Sequence, residues 1–277
     1  MMKSGLNQLF RDLNAAILLQ RSEAVDIALD GLLRLQGVSG NEQMSDGFIA
    51  QVVLPVGQRL SSLQASILRP LLNHPLVFGR AIGAVALAHR FFKAEDTKMD
   101  DLRQGATDPR SDARLSLGRV LVDLAEEDPE RLFDIGKSWL EQPSPRLRQT
   151  ALIFLPHLAG NYGTALIDLL RPFSAEEHRE VNRALADGLI QLGNRTLALP
   201  ILHLLSDWSK YPSPNEWVIC QTLSASWVVN YPSEVVSILK RLVSDGRESK
   251  AVSNTIKALK RNGLIIDLNH DIYSQEK

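Results

Sequence analysis

The chain has 277 residues, which is enough for one large domain or two small ones, and it is 44% hydrophobic and 23% charged. This composition excludes an intrinsically disordered, a collagen-like and a disulfide-framework protein. Its 31 Lys and Arg residues against 32 Asp and Glu residues give a net charge of -1, so no overall basic field attracts nucleic acid or an anionic membrane.

The single cysteine and the short apolar runs predict the cellular compartment of the protein. Cys220 cannot form an internal disulfide, which fits a reducing compartment. The longest apolar runs, such as residues 81–88, are shorter than the roughly 18 residues that a membrane span needs. Residues 1–10 do not have the composition of a secretory signal. We therefore expect a cytoplasmic protein with no membrane partner.

The first part of the chain predicts helices, because apolar residues recur at intervals of three and four positions and strand signals are nearly absent. The expected helices cover residues 4–20, 22–36, 47–72 with an interruption near Pro55, and 75–93. Residues 37–45 predict a loop. Residues 93–109 predict a connection or a short irregular helix, and a domain division there is one interpretation.

From residue 110 onwards the helical pattern repeats. Apolar residues mark it at successive separations of 34, 34, 37 and 34 positions: Ala113, Leu147, Val181, Val218 and Val252. Each of them is expected near the start of a first helix, and Gly263 predicts the end of the last one. Second helices are expected near 129–141, 162–171, 198–208 and 232–243. A lone helical hairpin cannot cover its own apolar face, so neighbouring hairpins must stack and share a core.

Two segments of this repeat resemble HEAT units, whereas the Trp and Leu-Gly pattern of tetratricopeptide repeats of similar length is not found. Residues 195–207, RTLALPILHLLSD, are similar to a second HEAT helix with Pro200 near its start. Residues 145–155, PRLRQTALIFL, are similar to a first helix, and Pro156 predicts a kink near its end.

The resemblance to HEAT repeats is clear over residues 110–262 and implies an all-α fold, a right-handed α-solenoid of HEAT-like helical hairpins. We expect a single domain over residues 1–277. Within it, residues 1–95 form N-terminal helices and residues 263–277 form a C-terminal tail.

A narrower resemblance is carried by residues 128–155, DPERLFDIGKSWLEQPSPRLRQTALIFL. They are similar to the AlkD-like group of DNA alkylation repair proteins, HEAT-like solenoids that excise alkylated bases from duplex DNA. The resemblance implies a catalytic Asp before a Trp-containing hairpin, and here Arg114 takes that place. It also implies an Arg on the following helix, where Gln149 stands beside Arg148. Without the carboxylate, the excision activity is not carried over to this chain.

The four tryptophans are the first candidates for a recognition surface. Trp139 and Trp208 lie on predicted buried stripes. Trp227 is expected on the same helix as Trp217, and the apolar arc of that helix is wide. Trp217, at the start of its helix, is expected to be partly exposed. Core packing is the favoured interpretation for all four, and a recognition surface is the alternative.

Two groups of basic residues are candidates for binding phosphate or an acidic partner. The group near the C-terminus can also be read as the solvated cap of a terminal repeat; it comprises Lys240, Arg241, Arg247, Lys250, Lys257, Lys260 and Arg261. The group near the starts of first helices can also be read as bridges between repeats; it comprises Arg110, Arg114, Arg119, Arg146, Arg148, Arg179 and Arg183. From these groups and the tryptophans we select as binding candidates Arg114, Arg148, Arg183, Trp217, Lys257, Lys260 and Arg261.

The sequence predicts no catalytic residue, metal site or cofactor. The six histidines have no zinc-ligand spacing, and no phosphate-binding loop or nucleophile motif occurs. Cys220 lies in an apolar helix and is expected to be inert.

These patterns predict a non-enzymatic HEAT-like scaffold or adaptor that binds a macromolecule, first of all a protein, on its concave face. The alternative is an AlkD-like protein that binds DNA and repairs alkylated bases, or a descendant that has lost the glycosylase activity. A third interpretation is a subunit of a larger assembly in which the solenoid is a spacer.

Overall fold

The computed structural model of the chain describes residues 2–19, 21–35, 43–211, 215–243 and 249–266. All regular elements in these ranges are helices and none is a β-strand, which confirms the predicted all-α class. Across the same ranges, every helix is too short or too polar to traverse a lipid bilayer. The helices form two compact units, Met1–Leu132 and Phe133–Lys277.

The first unit is organised around one apolar helix, α6. This helix packs on α4, α7 and α8, and nearly all of its residues from 77 to 91 are buried. The elements of this unit are α1 (Met2–Leu18), α2 (Ser22–Leu35), α3 (Asp46–Phe48), α4 (Leu54–Leu60), α5 (Ala65–Leu68), α6 (Val77–Phe92), α7 (Met99–Ala106) and α8 (Ser111–Leu124).

The expected interruption near Pro55 is wrong, because the chain stays helical through this residue. A π-helical turn over Ile49–Val53 joins α3 to α4, and Pro55 is the second residue of α4 directly after this turn. The interruption follows Leu60, where the Ser61 hydroxyl donates to the Gln58 carbonyl oxygen at 2.7 Å. The short helix expected within 93–109 is α7. Most of the predicted loop 37–45 lies outside the described residues.

The second unit contains the pattern of first and second helices that the repeat predicts. Its first element, α9, begins before the division between the units. The elements are α9 (Pro129–Leu140), α10 (Pro145–Phe154), α11 (Ala159–Leu170), α12 (Arg179–Leu192), α13 (Ala198–Trp208), α14 (Glu216–Leu223), α15 (Pro232–Leu242) and α16 (Lys250–Arg261). The second helices α9, α13 and α15 lie within one residue of their predicted bounds, and α11 begins three residues earlier than predicted.

The periodic apolar residues have the same place in every first helix. Leu147, Val181, Val218 and Val252 are each the third residue of α10, α12, α14 and α16, and all four are buried. Within this unit α10 packs on α12, α12 on α14 and α14 on α16, while α11 packs on α13 and α13 on α15. Each first helix therefore contacts the next first helix, and each of these second helices contacts the next second helix.

Two predicted breaks are confirmed. At Pro156 the chain leaves the α-helical conformation for a 3-10 turn over Leu155–Leu158. At the end of α16, Gly263 has a φ of +95°, in the left-handed region where glycine is favoured. Of the predicted C-terminal tail, residues 267–277 lie outside the described residues.

Candidate functional site

Trp217 is the exposed member of the four tryptophans. Its side chain is 47% exposed on α14, whereas Trp139 and Trp208 are fully buried and Trp227 is 9% exposed. The burial of three tryptophans and the partial exposure of the fourth confirm what their positions predict. Large aromatic side chains on a surface mark recognition sites more often than other residues do.

The start of α14, which carries Trp217, is held by Asn215. The Asn215 side-chain oxygen accepts a hydrogen bond from the Val218 N–H at 3.4 Å and so caps the helix. Its amide nitrogen donates to the Asn182 side-chain oxygen at 2.6 Å and to the Glu176 carbonyl oxygen at 3.2 Å. Its backbone N–H donates to the Ser174 carbonyl oxygen at 3.0 Å. These bonds fix the start of α14 beside the start of α12.

The opposite side of α14 is joined to α16 by polar contacts as well. The Ser249 hydroxyl caps α16 by accepting from the Val252 N–H at 3.2 Å, and it also donates to the Glu216 carboxylate. The buried Thr255 hydroxyl lies 3.0 Å from the Cys220 carbonyl oxygen. Trp217 consequently lies between two helices whose positions relative to α14 are fixed.

Two depressions flank the Trp217 indole. The one between α12 and α14 has a volume of about 330 Å³ and is lined by Glu177, Arg179, Asn182, Arg183 and Trp217. The one between α14 and α16 has a volume of about 370 Å³, and its lining includes Trp217, Gln221, Ser224, Lys250, Asn254 and Thr255. We call the surface formed by these two depressions and the indole the Trp217 face.

The Trp217 face is locally cationic in a chain of nearly balanced charge. Three cations line it, Arg179, Arg183 and Lys250, against the single carboxylate of Glu177. The ion pairs found among the described residues include none of these three cations. The carboxylate of Asp187, one turn beyond Arg183 on α12, offsets part of the positive electrostatic potential of the face. The face thus offers exposed cations, side-chain amides and one aromatic ring.

Arg114, selected from the sequence, lies in the interior of the first unit. Its side chain is 1% exposed and donates from Nη1 to the Asp108 carbonyl oxygen at 2.6 Å. The Asp108 carboxylate in turn accepts from Arg80 at 2.6 Å. A guanidinium enclosed in this way has a structural role, because it has no surface to present to a partner.

Arg148 forms a bridge within the second unit. One of its guanidinium nitrogens lies 2.6 Å from the Glu176 carboxylate, and its Cζ lies 6.0 Å from the centre of the Phe173 ring. These contacts tie α10 to the segment that follows α11. Arg148 therefore links two helical segments, which is the kind of role that the alternative interpretation of these arginines gives them.

Lys257, Lys260 and Arg261 are exposed on α16. Lys257 and Arg261 lie on one helix face with Lys250, since their spacing of seven and eleven positions from it brings them to the same side. This face is opposite the buried Val252 and Leu259. Of the other members of the C-terminal basic group, Arg241 donates to the Ser206 hydroxyl at 2.6 Å, and Arg247 lies outside the described residues.

Within the described residues, no group of three or more His, Cys, Asp or Glu side chains is arranged to hold a metal ion. The one thiol, Cys220, is buried beneath the groove between α14 and α16, and burial raises the pKa of this thiol to about 12. The thiolate that would act as a nucleophile is therefore scarce at neutral pH.

No family model, curated protein or solved structure matches this chain. The HEAT-like and AlkD-like resemblances stay predictions, and a function has to be argued from the surface itself.

Sequence patterns do not indicate several residues of the Trp217 face. Asn182 and Asn254 become neighbours of Trp217 only because α14 packs on α12 and α16, whereas Gln221 lies one turn after Trp217 on α14 itself. Asn215 had a local signal, since an asparagine directly before a helix is a preferred cap. Of the residues selected from the sequence, Arg183 and Trp217 line the same depression.

Proposed function

We propose that the second unit is a stack of HEAT-like hairpins that binds another protein through the Trp217 face. The stack is supported by the two series of contacts, α10 to α16 among first helices and α11 to α15 among second helices. Contacts of each element with its equivalent in the next repeat are typical of repeat proteins. Such a unit acts as a scaffold or adaptor rather than as an enzyme.

The observation that carries this proposal is the exposure of Trp217 between two depressions. Its indole is nearly half exposed in a unit that buries its other three tryptophans. Tryptophan is enriched among the residues that dominate protein interfaces, and depressions beside such a residue can receive side chains of the partner. Depressions of about 330 and 370 Å³ are large enough for this purpose.

The chemistry of the face supports a binding role. Guanidinium, ammonium, amide and indole groups, which bind partners through hydrogen bonds, charge and apolar contact, make up most of it, beside the Ser224 and Thr255 hydroxyls and the single carboxylate of Glu177. The neighbouring thiol is neutral, because burial raises the pKa of Cys220 to about 12. We therefore propose a non-enzymatic protein.

Photo-crosslinking tests this proposal. The photoreactive amino acid p-benzoylphenylalanine replaces exposed Gln221 in the face, and a control carries it at exposed Tyr211 after α13. In a lysate of the source organism, we expect a discrete protein adduct from position 221 that survives nuclease digestion and is not formed from position 211. An adduct that nuclease removes, the same adduct from both positions, or no adduct would contradict the proposal.

DNA binding is a second candidate, and a specific observation favours it. Lys250, Lys257 and Arg261 follow one exposed face of α16, so three cations could contact successive phosphates. Base excision is not part of this candidate. Arg114, which takes the place that the AlkD-like resemblance gives to the carboxylate, is buried and cationic.

A further inference from the structure

We propose that the Trp217 face binds a short acidic segment of its partner protein. An apolar side chain of this segment packs on the Trp217 indole, one carboxylate pairs with Arg183 and another with Lys250. This inference rests on the proposed function and adds the chemistry of the ligand.

The order of the three helices places the indole between the two cations. Arg183 is on α12, Trp217 on α14 and Lys250 on α16, and α14 packs on both of the other helices. Packed helices lie about 8–10 Å apart, so α12 and α16 are separated by roughly 16–20 Å. An extended chain covers roughly this distance with five or six residues. The two carboxylates should therefore be about four to six positions apart, since the long Arg and Lys side chains can reach inwards, with the apolar residue between them.

Charge complementarity selects an acidic ligand over a basic or neutral one. Arg179 and Arg183 are exposed, and the ion pairs among the described residues do not include them. A guanidinium can hold a carboxylate through two parallel hydrogen bonds. Lys250 is the first residue of α16, where the helix dipole adds partial positive charge. Glu177 is the one carboxylate that lines the two depressions.

The amides of the face suit the backbone of an extended segment. Gln221 on α14 and Asn254 on α16 are exposed and line the same depression. Each side-chain amide can both donate and accept hydrogen bonds, as the N–H and C=O groups of an unpaired backbone require. Three kinds of contact then together hold the ligand segment: apolar contact on the indole, charge pairing at both sides and amide contacts to its backbone.

A selection from a displayed library of random twelve-residue peptides tests the inference. The full-length protein is the target, and peptides that also bind Trp217→Ala are removed. We expect the retained peptides to carry an apolar residue between two acidic residues four to six positions apart. A synthetic peptide of this kind, labelled with fluorescein, should bind at least tenfold more weakly when its Asp and Glu residues are replaced by Asn and Gln.

Variants of the protein locate the binding on the face. Trp217→Ala and Arg183→Glu should each weaken binding of the acidic peptide at least tenfold in fluorescence anisotropy. The matched controls Tyr211→Ala and Lys137→Glu remove an exposed aromatic ring and reverse an exposed charge outside the face, and they should leave the affinity unchanged. Binding should also weaken as salt rises, because the cations are exposed. Trp217→Ala and Arg183→Glu change exposed side chains, and circular dichroism verifies that both variants are folded.

The outcomes separate this inference from the proposed function. Retained peptides that depend on Trp217 but are neutral or basic would overturn the acidic ligand and leave protein binding in place. If no peptide depends on Trp217, the acidic segment is wrong, and the crosslinking at position 221 decides separately whether the face binds a folded protein surface. A further outcome concerns nucleic acid. If labelled oligothymidylate binds the wild-type protein but not Trp217→Ala, and no peptide depends on Trp217, the face binds nucleic acid. That result would overturn both the acidic ligand and protein binding by the face.

Discussion

The side-chain amide of Asn215 donates a hydrogen bond to the side-chain oxygen of Asn182 at 2.6 Å, although the two residues are 33 positions apart. This bond joins the starts of α14 and α12, directly beside the depression that Trp217 and Arg183 share. The geometry of the Trp217 face therefore depends on a contact between α12 and α14.

Asn215→Ala should destabilise the protein by about 1–3 kcal/mol, because it removes a helix cap and leaves the amide of Asn182 with fewer partners. Urea unfolding followed by circular dichroism measures the change. Asn254→Ala is the matched control, since Asn254 is exposed within α16 and caps no helix; it should change stability by less than about 0.5 kcal/mol. Equal unfolding midpoints for the two variants would contradict a stabilising role of the Asn215 bridge.

Gly193 and Gly160 should respond to alanine in opposite directions. A methyl group on Gly193 would overlap the Trp227 indole, whereas one on Gly160 would meet no atom within 4 Å. Overpacking costs about 1–3 kcal/mol, and a helical Gly→Ala change on an open surface gains roughly 0.5–1 kcal/mol. In thermal unfolding, Gly193→Ala should lower the Tm and Gly160→Ala should leave it equal or raise it. A Tm for Gly193→Ala at or above the wild-type value would show that the π-helical turn Gly193–Leu197 after α12 and the Trp227 indole do not pack this closely.

The thiol of Cys220 should be unreactive in the folded protein. Burial raises the pKa of this thiol to about 12, so the reactive thiolate is a minute fraction at pH 8. With Ellman's reagent at pH 8, we expect no labelling of the native protein within minutes and one thiol per chain in concentrated guanidinium chloride, since the chain has 1 cysteine. Rapid native labelling would mean that the groove over Cys220 opens.

The same pKa shift predicts a loss of stability at alkaline pH. The pKa of Cys220 is raised from 9.0 in its ordinary state to about 12 in the folded protein, so unfolding releases a proton above pH 9. The stabilisation is complete below pH 9 and is lost as the pH rises towards 12. Between pH 8 and pH 10 the free energy of unfolding should fall by about 1 kcal/mol more in the wild type than in Cys220→Ala. Parallel pH profiles for the two proteins would contradict this shift.

The DNA-binding candidate makes a separate prediction. If α16 contacts phosphates, Lys257→Glu combined with Arg261→Glu should weaken binding to a twenty-base-pair duplex at least tenfold and reduce the steepness of its salt dependence by about two counterions. The control Lys137→Glu with Lys210→Glu reverses two exposed charges outside this face and should have little effect. A wild-type protein that does not bind the duplex at low salt removes this candidate.

Much of the helical framework follows from the spacing of apolar residues, because a buried stripe at helical spacing is a local property. Val181, Val218 and Val252 predict the starts of α12, α14 and α16, where each is the third residue. Pro55 shows the limit of such reasoning, since a π-helical turn before it lets the helix continue. A residue-type rule cannot anticipate a change of hydrogen-bond register that the surrounding helices stabilise.

The candidate site was predictable only in part. Trp217 was identified because a helix start is a place where an aromatic side chain can be exposed. Arg114 and Arg148 lie near the start of a first helix, as Arg183 does, yet the first is buried and the second is paired with Glu176. Nothing local distinguishes these three arginines, because burial and pairing depend on residues far away in the chain.

By itself, the amino-acid sequence determined an all-helical chain, the beginnings of its repeated helices and the breaks at Pro156 and Gly263. Only the tertiary structure decided which cations reach solvent and which residues surround Trp217. Helix formation depends on neighbours three and four positions away, whereas the Trp217 face is made by side chains about 33 positions apart that meet when α12, α14 and α16 pack together.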